Sequence, residues 1–193
     1  LGHSDATYEE ALACVNAGAD IFVHTYNGMS GLHHREPGMV GAAMTTHGTY
    51  AEAICDGHHL NPIAVRALVN AKGYDHTVLI TDCMRAGGMP NGQYKLGDFP
   101  VVVEGGTARL MDESHSLAGS ILRLFEGVKN VFDWGIVSAE EAVRMASENP
   151  ARSCGIDDVC GFIRPGYDAD FIVITKDLQL EETFLGGKSV YKA

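Results

Sequence analysis

The chain has 193 residues, 46% of them hydrophobic, and a formal net charge of −11 at pH 7. That length suits one ordinary domain or part of something larger, and no apolar run is long enough to cross a bilayer as a helix. The negative balance argues against nucleic acid or an anionic membrane surface as partner, yet it leaves room for a small anionic substrate that answers to local cations.

In chain order, Thr7-Tyr8-Glu9-Glu10 has the form of a capping box, and Ala11, Leu12 and Val15 continue an apolar helix face that Gly18 ends. An apolar strand through Ile21, Phe22 and Val23 then delivers His24 to a long, glycine-spaced polar loop. Residues 39–44 are small and apolar and read as a short helix or strand. A strand is expected over residues 50–55, then a helix from Asn61-Pro62 to Lys72 stopped by Gly73, then a β-branched strand over 76–81. Helix, strand, strand, helix, strand is the alternation of an α/β fold with a parallel sheet. Asn91-Gly92 and Gly105-Gly106 signal antiparallel hairpins inserted near 91–110. An amphipathic helix is expected over 119–134, and a second capping box at Ser138 opens a helix running to about Asn149, before Pro150. Strands at 169–175, 182–185 and 189–192 finish the chain.

Polar residues recur where these strands end. His24 follows the first, Asp56-Gly57-His58-His59 the second and Asp82 the third, with His3 near the amino end. Histidine and carboxylate at the ends of neighbouring parallel strands suit a divalent metal site, on which these polar groups are set up to converge. Zinc is the first choice, and iron, cobalt, nickel or manganese is compatible. The bland alternative is that each histidine is a hydrogen-bonded structural residue. His33-His34 and His58-His59 could form surface clusters instead, and His47, His76 and His115 are given no role. Arg35 on its Pro-Gly loop is either an anion contact or half of a salt bridge with Glu36 or a neighbour. Leu117-Ala118-Gly119-Ser120 either presents backbone N–H groups at a helix start or forms a tight packing joint. The five cysteines lack C-x-x-C spacing and read as reduced, mostly buried thiols of a cytosolic protein. The polar amino end does not read as a signal peptide, and a functional His3 with no strand before it would fray, so the natural polypeptide is expected to start upstream.

Six ordered motifs carry a resemblance over the whole chain: Gly2-His3-Ser4-Asp5-Ala6, His24-Thr25-Tyr26-Asn27-Gly28-Met29 with Arg35-Glu36-Pro37-Gly38, Asp56-Gly57-His58-His59, Thr81-Asp82-Cys83, Leu117-Ala118-Gly119-Ser120, and Pro165-Gly166-Tyr167-Asp168-Ala169-Asp170. In these the chain resembles the N-acetylglucosamine-6-phosphate deacetylases of the amidohydrolase superfamily. The resemblance implies an α/β fold: the carboxyl-terminal half of a metal-dependent (β/α)₈ barrel over 1–165, with its share of a small β-sandwich over 166–193. It implies metal ligands at His3 and His24, a general base and acid at Asp82, and His59 beside the substrate carbonyl, with imidazoles 3 and 24 and carboxylate 82 expected to meet around one ion. Contacts to the amino-sugar phosphate would come from Asn27, Gly28, Arg35, Asp56, Gly57, His58, His59, Leu117, Ala118 and Gly119. A homodimer is implied too, with Arg35 reaching the neighbouring subunit's site. The family's remaining metal ligand, a glutamate, would lie upstream of Leu1. Gly28 and Cys83 stand where alanine is usual, a change expected to matter little beyond loosening the loop at Gly28. The competing readings are an amidohydrolase acting on a cyclic amide or another N-acyl sugar, and a non-catalytic fragment or interaction module.

Overall fold

The computed structural model describes residues 1–193. Its centre is a three-stranded parallel sheet in the order β1 (Ile21–Phe22), β2 (Tyr50–Ile54), β3 (Thr77–Ile80). Residues 1–4 run along the other edge of β1: Val23 donates to the Leu1 carbonyl at 2.8 Å, and Ser4 bridges Met29 in parallel. Past β3, a parallel bridge joins Cys83 to Ser120. His3 therefore lies on a hydrogen-bonded stretch rather than on a fraying end. β1 is shorter than expected because the chain leaves the extended conformation at His24, whose φ is 31°.

The helices follow their sequence signals closely at the amino side. α1 (Tyr8–Asn16) is opened by the Thr7–Glu10 capping box, and α3 (Pro62–Lys72) by the Asn61 side chain, which accepts from Ile63 N–H. The ambiguous small-residue segment is helical, α2 (Gly38–Thr45). Ala51, Ala53 and Cys55 alternate onto one face of β2 and pack with Val65 and Leu68 of α3 in a 13-residue buried cluster. A short 3₁₀ turn (Tyr74–His76) precedes β3.

Three expectations are corrected. The helix predicted over 119–134 begins only at Leu124, as α4 (Leu124–Asp133), because residues 117–120 are held in extended bridges. The helix after Ser138 is two helices, α5 (Ala139–Ala146) and α6 (Glu148–Ser153), broken at Ser147. Pro150 falls in the first turn of α6, where its missing N–H costs no hydrogen bond. In the insertion β4 (Gly92–Leu96), β5 (Phe99–Glu104) and β6 (Thr107–Leu110) form an antiparallel sheet. Gly97-Asp98 makes its first turn, with Gly97 at φ 59°. Asn91-Gly92 merely leads into β4, whereas Gly105-Gly106 turns as read.

A third sheet, antiparallel, comprises β7 (Phe171–Ile174), β8 (Leu180–Leu185) and β9 (Lys188–Lys192). All five cysteines are free, but only Cys55 is buried, against the expectation of mostly buried thiols. Burial and the neighbouring Asp56 push the Cys55 thiol up to about 12. No helix is long and apolar enough to cross a membrane.

Candidate active site

Because the strands are parallel, everything just past their carboxyl ends shares one edge of the sheet. His3, His24, the Asp56–His59 loop and Asp82 all sit there, each on a different parallel stretch.

His3 and His24 are neighbours. Their ring centroids are 5.4 Å apart with planes at 83°, and Nδ1 of His24 is buried without a hydrogen-bond partner. It is the one such side-chain nitrogen or oxygen in the molecule. Leaving a polar atom in that state costs about 1–3 kcal/mol, a cost that coordination to a metal removes. The pair therefore fits two ligands of a divalent ion. The three-group meeting is not found: no set of three His, Cys, Asp or Glu side chains is arranged to hold a metal, so Asp82 does not join the two rings as a third ligand. Gly28 makes room for this pair, since a Cβ there would lie 2.8–2.9 Å from atoms of the His3 ring.

His3, His24 and Asp82 are three of only six non-glycine residues with positive φ, at 47°, 31° and 48°. Such conformations cost about 1–3 kcal/mol each and persist only where the surroundings impose them. At His24 those surroundings are visible. Its N–H donates to Oε2 of Glu52 at 3.1 Å, and its carbonyl accepts from the Asn27 side chain at 3.1 Å and the Asn27 N–H at 3.0 Å. At Asp82 the carbonyl accepts from Ser120 N–H at 2.8 Å, and the Ser120 hydroxyl donates to the Thr81 carbonyl. The Asp82 side chain enters no ion pair and is exposed.

His59 is fixed by Asp56. Its Nδ1 donates to Oδ2 at 2.6 Å, while Oδ1 accepts the N–H groups of His58 and His59 at 2.8 and 2.7 Å. Burial would raise the Asp56 pKa, but the side-chain and backbone hydrogen bonds from His59, with that from His58, leave it below the ordinary value of 3.8. His58 is exposed, beside the Gly105-Gly106 turn of the insertion: a Cβ on Gly106 would lie 3.4 Å from its Nε2.

Arg35 is exposed and forms no salt bridge with Glu36; its Nη1 lies 2.7 Å from Nε2 of His34. The His33 and His34 rings are 4.2 Å apart on the same exposed loop. The loop returns through Gly38, where the φ of 61° and the 2.7 Å approach to the Ser30 and Gly31 carbonyls exclude a Cβ. In the 117–120 segment, Leu117 bridges Arg109, Ala118 N–H donates to the Ala108 carbonyl at 3.0 Å, and Gly119 comes within 3.1 Å of the Asp82 carbonyl at its Cβ position. With its helix starting later and two of its N–H groups already used, this segment has the geometry of a packing joint between the inserted and parallel sheets.

Glu52 escaped the sequence reading. The signal was available: one acid in the otherwise uncharged run Tyr-Ala-Glu-Ala-Ile-Cys, on the face of β2 opposite the helix core.

The chain spans about half the length of most of the curated relatives it matches. Over all 193 residues it is 46% identical to 48% of an N-acetylglucosamine-6-phosphate deacetylase of Vibrio furnissii. Over 97% of its length it is 44% identical to 49% of an N-acetylgalactosamine-6-phosphate deacetylase of Escherichia coli O157:H7. A crystal structure of N-acetylglucosamine-6-phosphate deacetylase from Thermotoga maritima superposes with a TM-score of 0.92 at 36% identity, covering 100% of this chain and 52% of that one. The model of the amidohydrolase family matches residues 5–190. With metal-suited histidines and acids at the ends of adjacent parallel strands, this chain belongs to the amidohydrolase family.

Proposed function

We propose that this chain is the carboxyl-terminal half of a metal-dependent deacetylase that converts N-acetylglucosamine 6-phosphate to glucosamine 6-phosphate and acetate. The parallel stretches belong to the later strands of a (β/α)₈ barrel over 1–165, and β7 to β9 to a small β-sandwich over 166–193. The observation that carries the reading is the His3–His24 pair, with its partnerless buried nitrogen, on the same strand-end edge as Asp82 and the Asp56–His59 pair.

His3 and His24 would hold the metal, zinc by preference. When bound, a divalent ion supplies Lewis-acid polarisation of the acetamide carbonyl and lowers the pKa of a coordinated water. Asp82, with its backbone clamped and its carboxylate outside any ion pair, takes a proton from the attacking water and returns it to the departing amine nitrogen. His59, held by Asp56, donates a hydrogen bond to the developing oxyanion. Arg35, unpaired with any carboxylate, is available for the sugar phosphate, and in a homodimer it serves the neighbouring site. Asn27, Gly28, Gly57 and His58 line the sugar, and residues 117–119 serve as the packing joint beside them. The enzyme works in the cytoplasm.

The 44% identity to an N-acetylgalactosamine-6-phosphate deacetylase supports the epimeric sugar as a second substrate. Acetate release by the polypeptide carrying this half tests both, measured with each sugar phosphate and with N-acetylglucosamine. Efficient release only from the phosphorylated sugars is expected, together with a KM raised about 10-fold or more by Arg35→Ala, from the loss of a charge-assisted contact. Equal activity on the phosphate-free sugar, or none on either phosphate, overturns the reading. Asp82→Asn is expected to lower kcat by about 10²–10⁴-fold while metal content stays the same.

A further inference from the structure

We propose that Glu52 is a positioning residue for His24: its carboxylate fixes the strained backbone that aims the imidazole. The proposal rests on the reading of His24 as a metal ligand and concerns the side chain behind it. Glu52 lies mid-strand in β2, where Ala51 and Ala53 face the helices, so it projects from the opposite face of the parallel sheet. Glu52 is half-buried there, and even partial burial of a charge is costly unless it is paired or hydrogen-bonded. No ion pair of the molecule includes it. Its partner is the His24 N–H, 3.1 Å from Oε2, while its own carbonyl accepts from Thr25 N–H at 2.8 Å.

These two bonds hold the first two residues past Val23 against β2. The next anchors belong to the same knot: Thr25 is fully buried with its hydroxyl on the Phe22 carbonyl, and Asn27 takes the His24 carbonyl. With N–H and C=O both fixed, φ at His24 is held at 31° and the ring stands against His3. A residue that orients a ligand through its backbone acts like the partners that orient metal-bound histidines through their rings, whose loss typically weakens metal binding about 10–100-fold. Glutamate and glutamine both offer an acceptor at this reach; aspartate keeps the charge but falls one methylene short.

The test is zinc affinity by chelator competition on the full-length polypeptide, alongside cobalt(II) absorption spectra and thermal melts of the metal-free protein. Glu52→Ala should bind zinc about 10–100-fold more weakly with an altered cobalt spectrum, and Glu52→Asp should resemble it. Glu52→Gln should stay within about threefold of the parent, as expected if the acceptor rather than the charge matters. His24→Ala separates the two levels of the argument. If His24→Ala binds zinc as the parent does, the ligand reading fails. If His24→Ala loses zinc while Glu52→Ala keeps it, or if Glu52→Gln is as weak as Glu52→Ala, the positioning role is overturned. Should Glu52→Ala not fold, Glu52→Gln against Glu52→Asp decides alone: equal affinities contradict the proposal.

Discussion

Nδ1 of His59 meets Oδ2 of Asp56 at 2.6 Å, and the other carboxylate oxygen is filled by two backbone N–H groups of the same loop. Both side chains are nearly excluded from water, at 6% and 10% exposure. With both oxygens engaged, Asp56 is placed to serve the proposed chemistry through His59. It is expected that Asp56→Asn lowers kcat by about 10²-fold or more, since the imidazole loses its anionic partner, with KM changed less than threefold. A rise in KM at constant kcat would make Asp56 a direct sugar contact instead. Because its pKa lies below 3.8 in the folded chain, Asp56 adds stability that is fully present above that pH. The contribution is lost as pH falls through the lowered value.

Gly28 carries more weight than the sequence suggested, where alanine at this position seemed interchangeable. A methyl group there would stand 2.8 Å from Cδ2 of His3 on a backbone with φ at 60°. Gly28→Ala is expected to cost about 1–2 kcal/mol of stability and to weaken zinc binding by turning the His3 ring. Chelator competition and thermal melts check both; unchanged affinity would show that the ring moves without consequence.

Lys72 gives a pH signature away from the active edge. Its ammonium donates to the Thr46 carbonyl at 2.5 Å and the Thr49 hydroxyl at 2.6 Å, and burial pushes its pKa down from 10.5 to about 8. Between those values the unfolded chain binds more protons than the folded one, so this residue makes stability rise with pH. Urea titrations of the parent and Lys72→Met should show the parent gaining relative to the variant from pH 8 to 10. Parallel curves would place the proton elsewhere.

Glu148 ties α5 to α6 across the break at Ser147. Its carboxylate, 11% exposed, takes Arg144 Nε at 2.8 Å and Arg152 Nη2 at 2.7 Å. Glu148→Ala should cost about 1–3 kcal/mol, or about 2–12 °C in Tm for a chain of this size. A melt within 1 °C of the parent would show the clamp to be ornamental.

How much of this was legible in the letters depended on how local the cause was. Capping boxes at Thr7 and Ser138, the Asn61-Pro62 start and the Gly73 stop are short-range chemistry, and each element began or ended there. The strand-end positions of His24, the Asp56–His59 loop and Asp82 could be read because parallel topology gathers strand ends on one edge, but the expected meeting of His3, His24 and Asp82 did not follow from it. What failed was decided at long range. Residues 119–123 have a helical apolar pattern, yet Ser120 is held extended by Asp82 and Thr81, nearly forty positions earlier. Glu52 reads as a stray acid until the fold brings its carboxylate beneath His24.

The Cys83–Ser120 bridge has a consequence for how this architecture can change. Both feet of the β4–β6 excursion stand on the same rung, so the parallel sheet registers where the excursion leaves and returns more than how far it travels. Doubling such a detour costs only about 0.6 kcal/mol in closure entropy. The excursion beside His58 can therefore be lengthened, trimmed or swapped while the rung beneath it stays in place.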